Sequence, residues 1–135
     1  MFHRRFVGRA YVAAGLGLTL WVGVLSLAAP SAAAQLHWSL AWAALDGGES
    51  AALAGTGWLL LRGDGRCALT ALAAALLLTC DAGFDISTSV PGVDRLFALL
   101  EAAFAEIPLS ALSIALAVRV LRRPPHLHSN PEESR

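Results

Sequence analysis

Charge is scarce in this chain. Only 15% of its 135 residues are Asp, Glu, Lys or Arg, against roughly 25% in ordinary soluble chains. Lysine is absent, and all ten basic residues are arginine, a bias that fits a genome rich in G and C. No basic patch with interleaved aromatics occurs, which excludes nucleic acid as a partner. Cys67 and Cys80 stand about 20 Å apart along one helix and cannot pair with each other. His3, His37, His126 and His128 lack zinc-ligand spacing, and His126-x-His128 alone is weak evidence for metal. A Gly-rich phosphate loop, a nucleophile elbow and a His-Glu-x-x-His motif are all missing. So are the Tyr-Asp and Gly-x-Gly-Asp settings of an intramembrane aspartyl protease. The Asp81-x-x-x-Asp85 pair resembles carboxylate sites that hold a divalent ion in lipid enzymes. However, the glycines and arginines that would cradle a phosphate do not accompany it. These absences argue against an enzyme and leave any cofactor unknown.

What the chain has in quantity is apolar sequence. Hydrophobic residues make up 56% of it, and its mean hydropathy is +0.60. About 20 apolar residues cross a bilayer as a helix, and four stretches are long enough: 10–29, 38–61, 67–84 and 96–121. This predicts an all-α, four-span antiparallel bundle over 10–121, after a basic N-terminus at 1–9. The polar, proline-rich residues 122–135 are too poor in apolar side chains to pack and are expected to be disordered. The lipid bilayer is the implied partner.

Orientation follows from arginine placement, because cytoplasmic flanks retain basic residues. Arg4, Arg5 and Arg9 precede the first span, Arg62 and Arg66 lie between the second and third, and Arg119, Arg122 and Arg123 close the fourth. Arg95 alone falls on the other side. Both termini are therefore expected in the cytoplasm of a multi-pass protein of the inner cell membrane, with outer loops at 30–37 and 85–94. The first span has a rival reading as a cleaved signal peptide, since Ala32-Ala33-Ala34-Gln35 looks like a peptidase site. Its apolar run of about 19 residues is longer than the usual 7–15. Gly15, Thr19, Gly23 and Ser26 also form a small stripe of the kind that lets membrane helices approach. Retention is the expectation.

Helical spacing then places acids on shared faces. Trp38, Trp42, Asp46 and Glu49 share a face of span two, with Trp38 at the depth of an interfacial anchor. On span three, Thr70, Ala74, Asp81, Asp85 and Thr88 do the same. On span four, Ala102, Glu106, Ser110, Ser113 and Ala117 line up, while Glu101 points elsewhere, toward the headgroups. At about 1.5 Å of rise per residue, Asp46 lies roughly 12 Å and Glu106 about 15 Å below the outer end. Asp46, Glu49, Asp81, Asp85 and Glu106 therefore share the outer half of the bundle, with His37 and Arg95 at its entrance. Each acid at mid-membrane costs about 2.5–3.5 kcal/mol. Three arrangements relieve that cost: protonated acids hydrogen-bonded between helices, carboxylates on a cation, or a water-filled vestibule. Pro108 removes one helical hydrogen bond near Glu106 and frees the carbonyl of Phe104. It is either a packing kink or part of a site.

Three segments carry a resemblance. Trp38-x-x-x-Trp42-x-x-x-Asp46, Asp81-Ala-x-Phe84-Asp85-x-x-Thr88 and Ala105-Glu106-x-Pro108-Leu109 resemble a group of small bacterial four-span integral membrane proteins. The likeness runs over spans two to four and more loosely over span one. It departs at Gly83, where the group has an aromatic residue. The group has no established activity, so the resemblance implies fold, location and a retained first span only.

Two functions of different class follow. In the first, Asp46, Glu49, Asp81, Asp85 and Glu106 bind a cation (a proton, a metal ion or a small organic cation), supported by Trp42, Thr88, Pro108 and Ser110. In the second, the chain is a structural or assembly partner of another membrane protein, with protonated acids gluing its helices together. Transport by so small a bundle would call for a homo-oligomer.

Overall fold

The computed structural model describes residues 2–28 and 36–122. It is all-helical, with four helices: α1 (Phe2–Ala28), α2 (Leu36–Arg62), α3 (Cys67–Thr88) and α4 (Val93–Leu121). Three are long and apolar enough to cross a membrane: α1 over His3–Val24, α3 and α4. α2 has 27 residues, but its run Asp46-Gly-Gly-Glu-Ser50 dilutes its apolar character. The helices exceed their expected bounds. α1 takes in the basic residues from Phe2 onward, and α3 runs on to Thr88, well into the expected outer loop. Both extensions follow from helix geometry: no proline or positive-φ glycine interrupts either segment. The expected disordered tail lies, from residue 123 onward, outside the described residues.

Turns form where only glycine is at ease. Gly63 (φ 79°) ends α2, and Gly92 (φ 124°) precedes α4, both in a region costly for a side chain with a Cβ. Between α2 and α3, the backbone N–H of Arg66 donates to Asp64 Oδ1 at 2.9 Å, an Asx-type local bond that closes the reversal.

Small residues set the α1–α2 spacing. Gly8 and Gly15 on α1 and Gly57 on α2 sit where the backbones nearly touch. A Cβ on Gly15 would fall 2.7 Å from both Ala54 N and Ser50 O. Ser50 Oγ donates to Gly15 O at 2.6 Å, and Thr19 Oγ1 pairs with Ser50 Oγ. Where lipid removes the usual hydrophobic drive, close packing and hydroxyl bonds of this kind hold helices together. Of the expected α1 stripe, Gly15 and Thr19 take part. Gly23 has nothing within 4 Å of a Cβ position, and the side chain of Ser26 lies outside the described residues.

α3 packs against α2 on one side and α4 on the other. Its buried face is mostly alanine, with Ala71 and Ala74 fully buried. Ser110 Oγ on α4 donates to Ala75 O at 3.0 Å and lies 3.0 Å from Thr79 Oγ1. α4 is interrupted by a π-helical turn at Ala102–Glu106, in which the N–H of Ile107 bonds Ala102 O, before regular helix resumes at Ile107–Leu121. Pro108 follows directly. Its missing donor accounts for the wider turn, because the helix cannot continue its ordinary i→i−4 pattern there.

Candidate cation site

Each acid arrives at the site by its helical register. Asp46 and Glu49 are three apart on α2, and Asp81 and Asp85 are four apart on α3, so each pair shares a face. Glu106 ends the π turn of α4 and is buried. These five side chains border one cavity of about 390 Å³ among all four helices. α1 contributes Gly17, Leu18 and Trp21, α2 adds Trp42 and Leu53, and α4 adds Ala105 and Leu109.

Two triads stand out. One oxygen each from Asp46, Glu49 and Asp81 lie within 4.8 Å of one another, and the same holds for Asp81, Asp85 and Glu106. Asp81 belongs to both. Two oxygens bound to one Ca²⁺ at 2.3–2.6 Å can be no more than about 4.6–5.2 Å apart, so each triad is already near ligating dimensions. Hard oxygen donors of this kind suit Ca²⁺, Mg²⁺ or Mn²⁺. Asp81 and Glu106 also hydrogen-bond through their carboxyl groups, so a proton can be shared there.

Burial separates these acids from ordinary surface charge. Glu49 is 2% exposed, Glu106 6% and Asp81 8%. Glu49 Oε1, Asp81 Oδ1 and Glu106 Oε2 are buried atoms with no hydrogen-bond partner. A buried polar atom without a partner costs about 1–3 kcal/mol, and more when charged. Among the described residues, no cationic side chain borders the cavity. The site therefore has a deficit of positive charge, and three of its carboxylate oxygens lack a donor.

Aromatic rings form part of the wall. Trp42 meets Phe84 edge-to-face, with centroids 6.0 Å apart and an interplanar angle of 78°. With Trp21 across the cavity, they add π-faces that suit an organic cation as well.

The other expected residues divide. Trp42 lines the cavity. Ser110 is buried, but its hydroxyl is engaged at the α3–α4 seam. Thr88 is exposed and donates to Phe84 O at 2.8 Å, because the end of α3 runs past the cavity. Pro108 is exposed and acts through the π turn. Glu101, expected to point away, instead lines the cavity. Five residues separate it from Glu106, a poor match for an α-helical face but one full i→i+5 step of the π turn between them. The proline beside the acid was the available signal. Arg95 does not border the cavity, and its terminal nitrogen donates to Ser89 O at 3.3 Å. The side chains of His37 and Trp38 lie outside the described residues. Comparison of the chain with protein families, with curated proteins and with solved structures finds no match.

Proposed function

We propose that the chain is a multi-pass protein of the inner cell membrane that binds a cation through Asp46, Glu49, Asp81, Asp85 and Glu106. All four helices span, antiparallel, with both termini in the cytoplasm, and α1 is retained. The spread of arginines toward one end of the bundle supports the orientation. The glycine seam between α1 and α2 supports retention, since a discarded segment has no use for such packing. The motifs around Asp46, Asp81 and Glu106 support membership of the small bacterial four-span group.

One observation carries the cation reading: three carboxylates, each more than nine-tenths buried, have an unpartnered oxygen at one cavity without a counter-charge. A cation supplies what those oxygens lack. Carriage of the ion across the membrane would use a homo-oligomer, because one bundle of this size is small for alternating access.

The assembly reading has one observation in its favour, the carboxyl–carboxyl bond between Asp81 and Glu106. Against it, Tyr11–Ser113, Ser50–Gly15 and Thr79–Ser110 already supply polar bonds between helices. Those bonds leave little for acid glue to do.

Thermal stability of the purified protein in detergent decides between the two. Ca²⁺, Mg²⁺, Mn²⁺ and tetramethylammonium are titrated against wild type, Asp81→Asn and Asp85→Asn. The cation reading expects at least one ion to stabilise wild type, by about 2.7 kcal/mol at a hundredfold excess over Kd. Both variants should lose that response without unfolding. Because Asp81 and Asp85 sit one turn apart in one triad, their effects should also be non-additive. Identical responses in all three proteins would end the cation reading in favour of assembly.

A further inference from the structure

We propose that the cleft between α1 and α4, at the arginine-rich end of the bundle, binds an anionic phospholipid. One acyl chain lies in the cleft, and its phosphate rests on Arg4 and Arg119. The proposal rests on the membrane reading but not on the buried acids.

The cleft has a volume of about 650 Å³, within the range of built ligand pockets. Its walls are apolar, with Phe6, Val7 and Ala10 on α1 facing Leu109, Leu112 and Leu116 on α4. Its mouth is basic, formed by His3, Arg4 and Arg119, and among the described residues no acid lines it. That is the inverse of the other cavity, which has six acids and no cation on its walls. A basic pocket between membrane helices at the cytoplasmic side is a recognised setting for anionic lipid headgroups.

Charge and shape together select the occupant. A free phosphate would satisfy the arginines but leave the apolar trench unfilled. A second copy of this chain placed parallel would bring Arg4, Arg5 and Arg9 against the same mouth, a like-charge clash. An anionic lipid matches both parts at once. Arg4 is already held in place: its terminal nitrogen donates to Leu61 O at 3.3 Å, and its guanidinium packs beside Gly63. Guanidinium carries five N–H donors, so this anchoring leaves others to meet a phosphate, with a planar fork suited to it.

Native mass spectrometry of the full delipidated chain in detergent tests this. The probes are dioleoyl-phosphatidylglycerol, dioleoyl-phosphatidylcholine and glycerol 3-phosphate. The expected result is preferential retention of phosphatidylglycerol. Arg4→Gln and Arg119→Gln should each weaken it about fivefold, with phosphatidylcholine unchanged. Ala115→Trp, which fills the trench, should weaken both lipids. Arg66→Gln, exposed and away from the cleft, should change neither. Equal retention of the two lipids would overturn the proposal. So would competition by glycerol 3-phosphate as strong as by phosphatidylglycerol, which would show a headgroup site without a chain. A dimer that Ala115→Trp converts to monomer, with no lipid preference, would assign the cleft to a second copy instead.

Discussion

The α1–α2 seam makes a sharp prediction at Gly57. In Gly57→Ala the new methyl would meet Gly8 O, with Val12 N at 2.7 Å and Val12 Cγ2 at 2.8 Å. Two of those atoms are backbone and cannot swing aside. Carbon contacts relax only near 3.5–4.0 Å, so α1 must retreat by about 1 Å along this stretch. A gap of 0.5–1 Å forfeits about a quarter to a half of the dispersion well at each contact it opens. Overpacking of this kind costs about 1–3 kcal/mol. Gly47→Ala, on the same helix with nothing within 4 Å, provides the control. It relieves the helical penalty of glycine and should gain roughly 0.5–1 kcal/mol. Unfolding in a sodium dodecyl sulfate titration from mild detergent measures both. There is a functional corollary as well: α1 supplies Gly17, Leu18 and Trp21 to the acid cavity, so its retreat should also weaken any cation-induced stabilisation. Equal stability of Gly57→Ala and Gly47→Ala would refute the claim that backbone contact sets this seam.

Other expectations are simpler. Tyr11→Phe removes the 2.9 Å bond to Ser113 Oγ and should cost about 0.5–1.5 kcal/mol. Because the two hydroxyls are partners, Tyr11→Phe and Ser113→Ala together should cost less than the sum of their separate effects in the same titration. Single cysteines at Val90 and Arg66, in a chain with Cys67 and Cys80 replaced by alanine, should label from outside and inside the cell respectively; outside labelling at Arg66 would reverse the orientation. The intact mass of the purified protein should include α1, and a chain beginning at Gln35 would mean that it is cleaved.

Regular helix periodicity is the part of this structure that the sequence displays. The α4 face Ala102, Glu106, Ser110, Ser113 and Ala117 is read from spacings of three and four, and every member is buried. Asp46 with Glu49 and Asp81 with Asp85 are read the same way, and both pairs reach the cavity. Periodicity fails where the backbone departs from 3.6 residues per turn. The π turn inserts an extra residue between Glu101 and Glu106, so an acid assigned by α-helical spacing to another face borders the cavity while staying exposed. Close approaches are hidden for a different reason. Gly8 and Gly57 are partners across 49 positions of chain, and nothing local distinguishes them from Gly23 or Gly47, which touch nothing. In an alanine- and glycine-rich chain, a small stripe is common, and only the partner's surface decides which glycines matter.

The order of packing explains why this small bundle has room for two cavities. α1 packs on α2, α2 on α3, and α3 on α4, and among the described residues the backbones of α1 and α4 do not come into contact. Across that open side, Tyr11 and Ser113 join by one hydrogen bond. Leu109 borders both cavities, so it stands between the acid chamber and the basic cleft. The two compartments differ because charge follows position along the helices: acids at 46, 49, 81, 85, 101 and 106, and arginines at 4 and 119. A closed ring of four helices, with α1 and α4 in full contact, would remove the shared gap. The unpartnered carboxylates would then have nowhere to take a ligand, and the burial cost of those charges would stand uncompensated. The incomplete α1–α4 contact is thus the structural condition for both proposed sites. Leu109→Trp should disturb the two together, lowering cation-induced stabilisation and phosphatidylglycerol retention in one variant. Loss of either response alone would show that the cavities are independent.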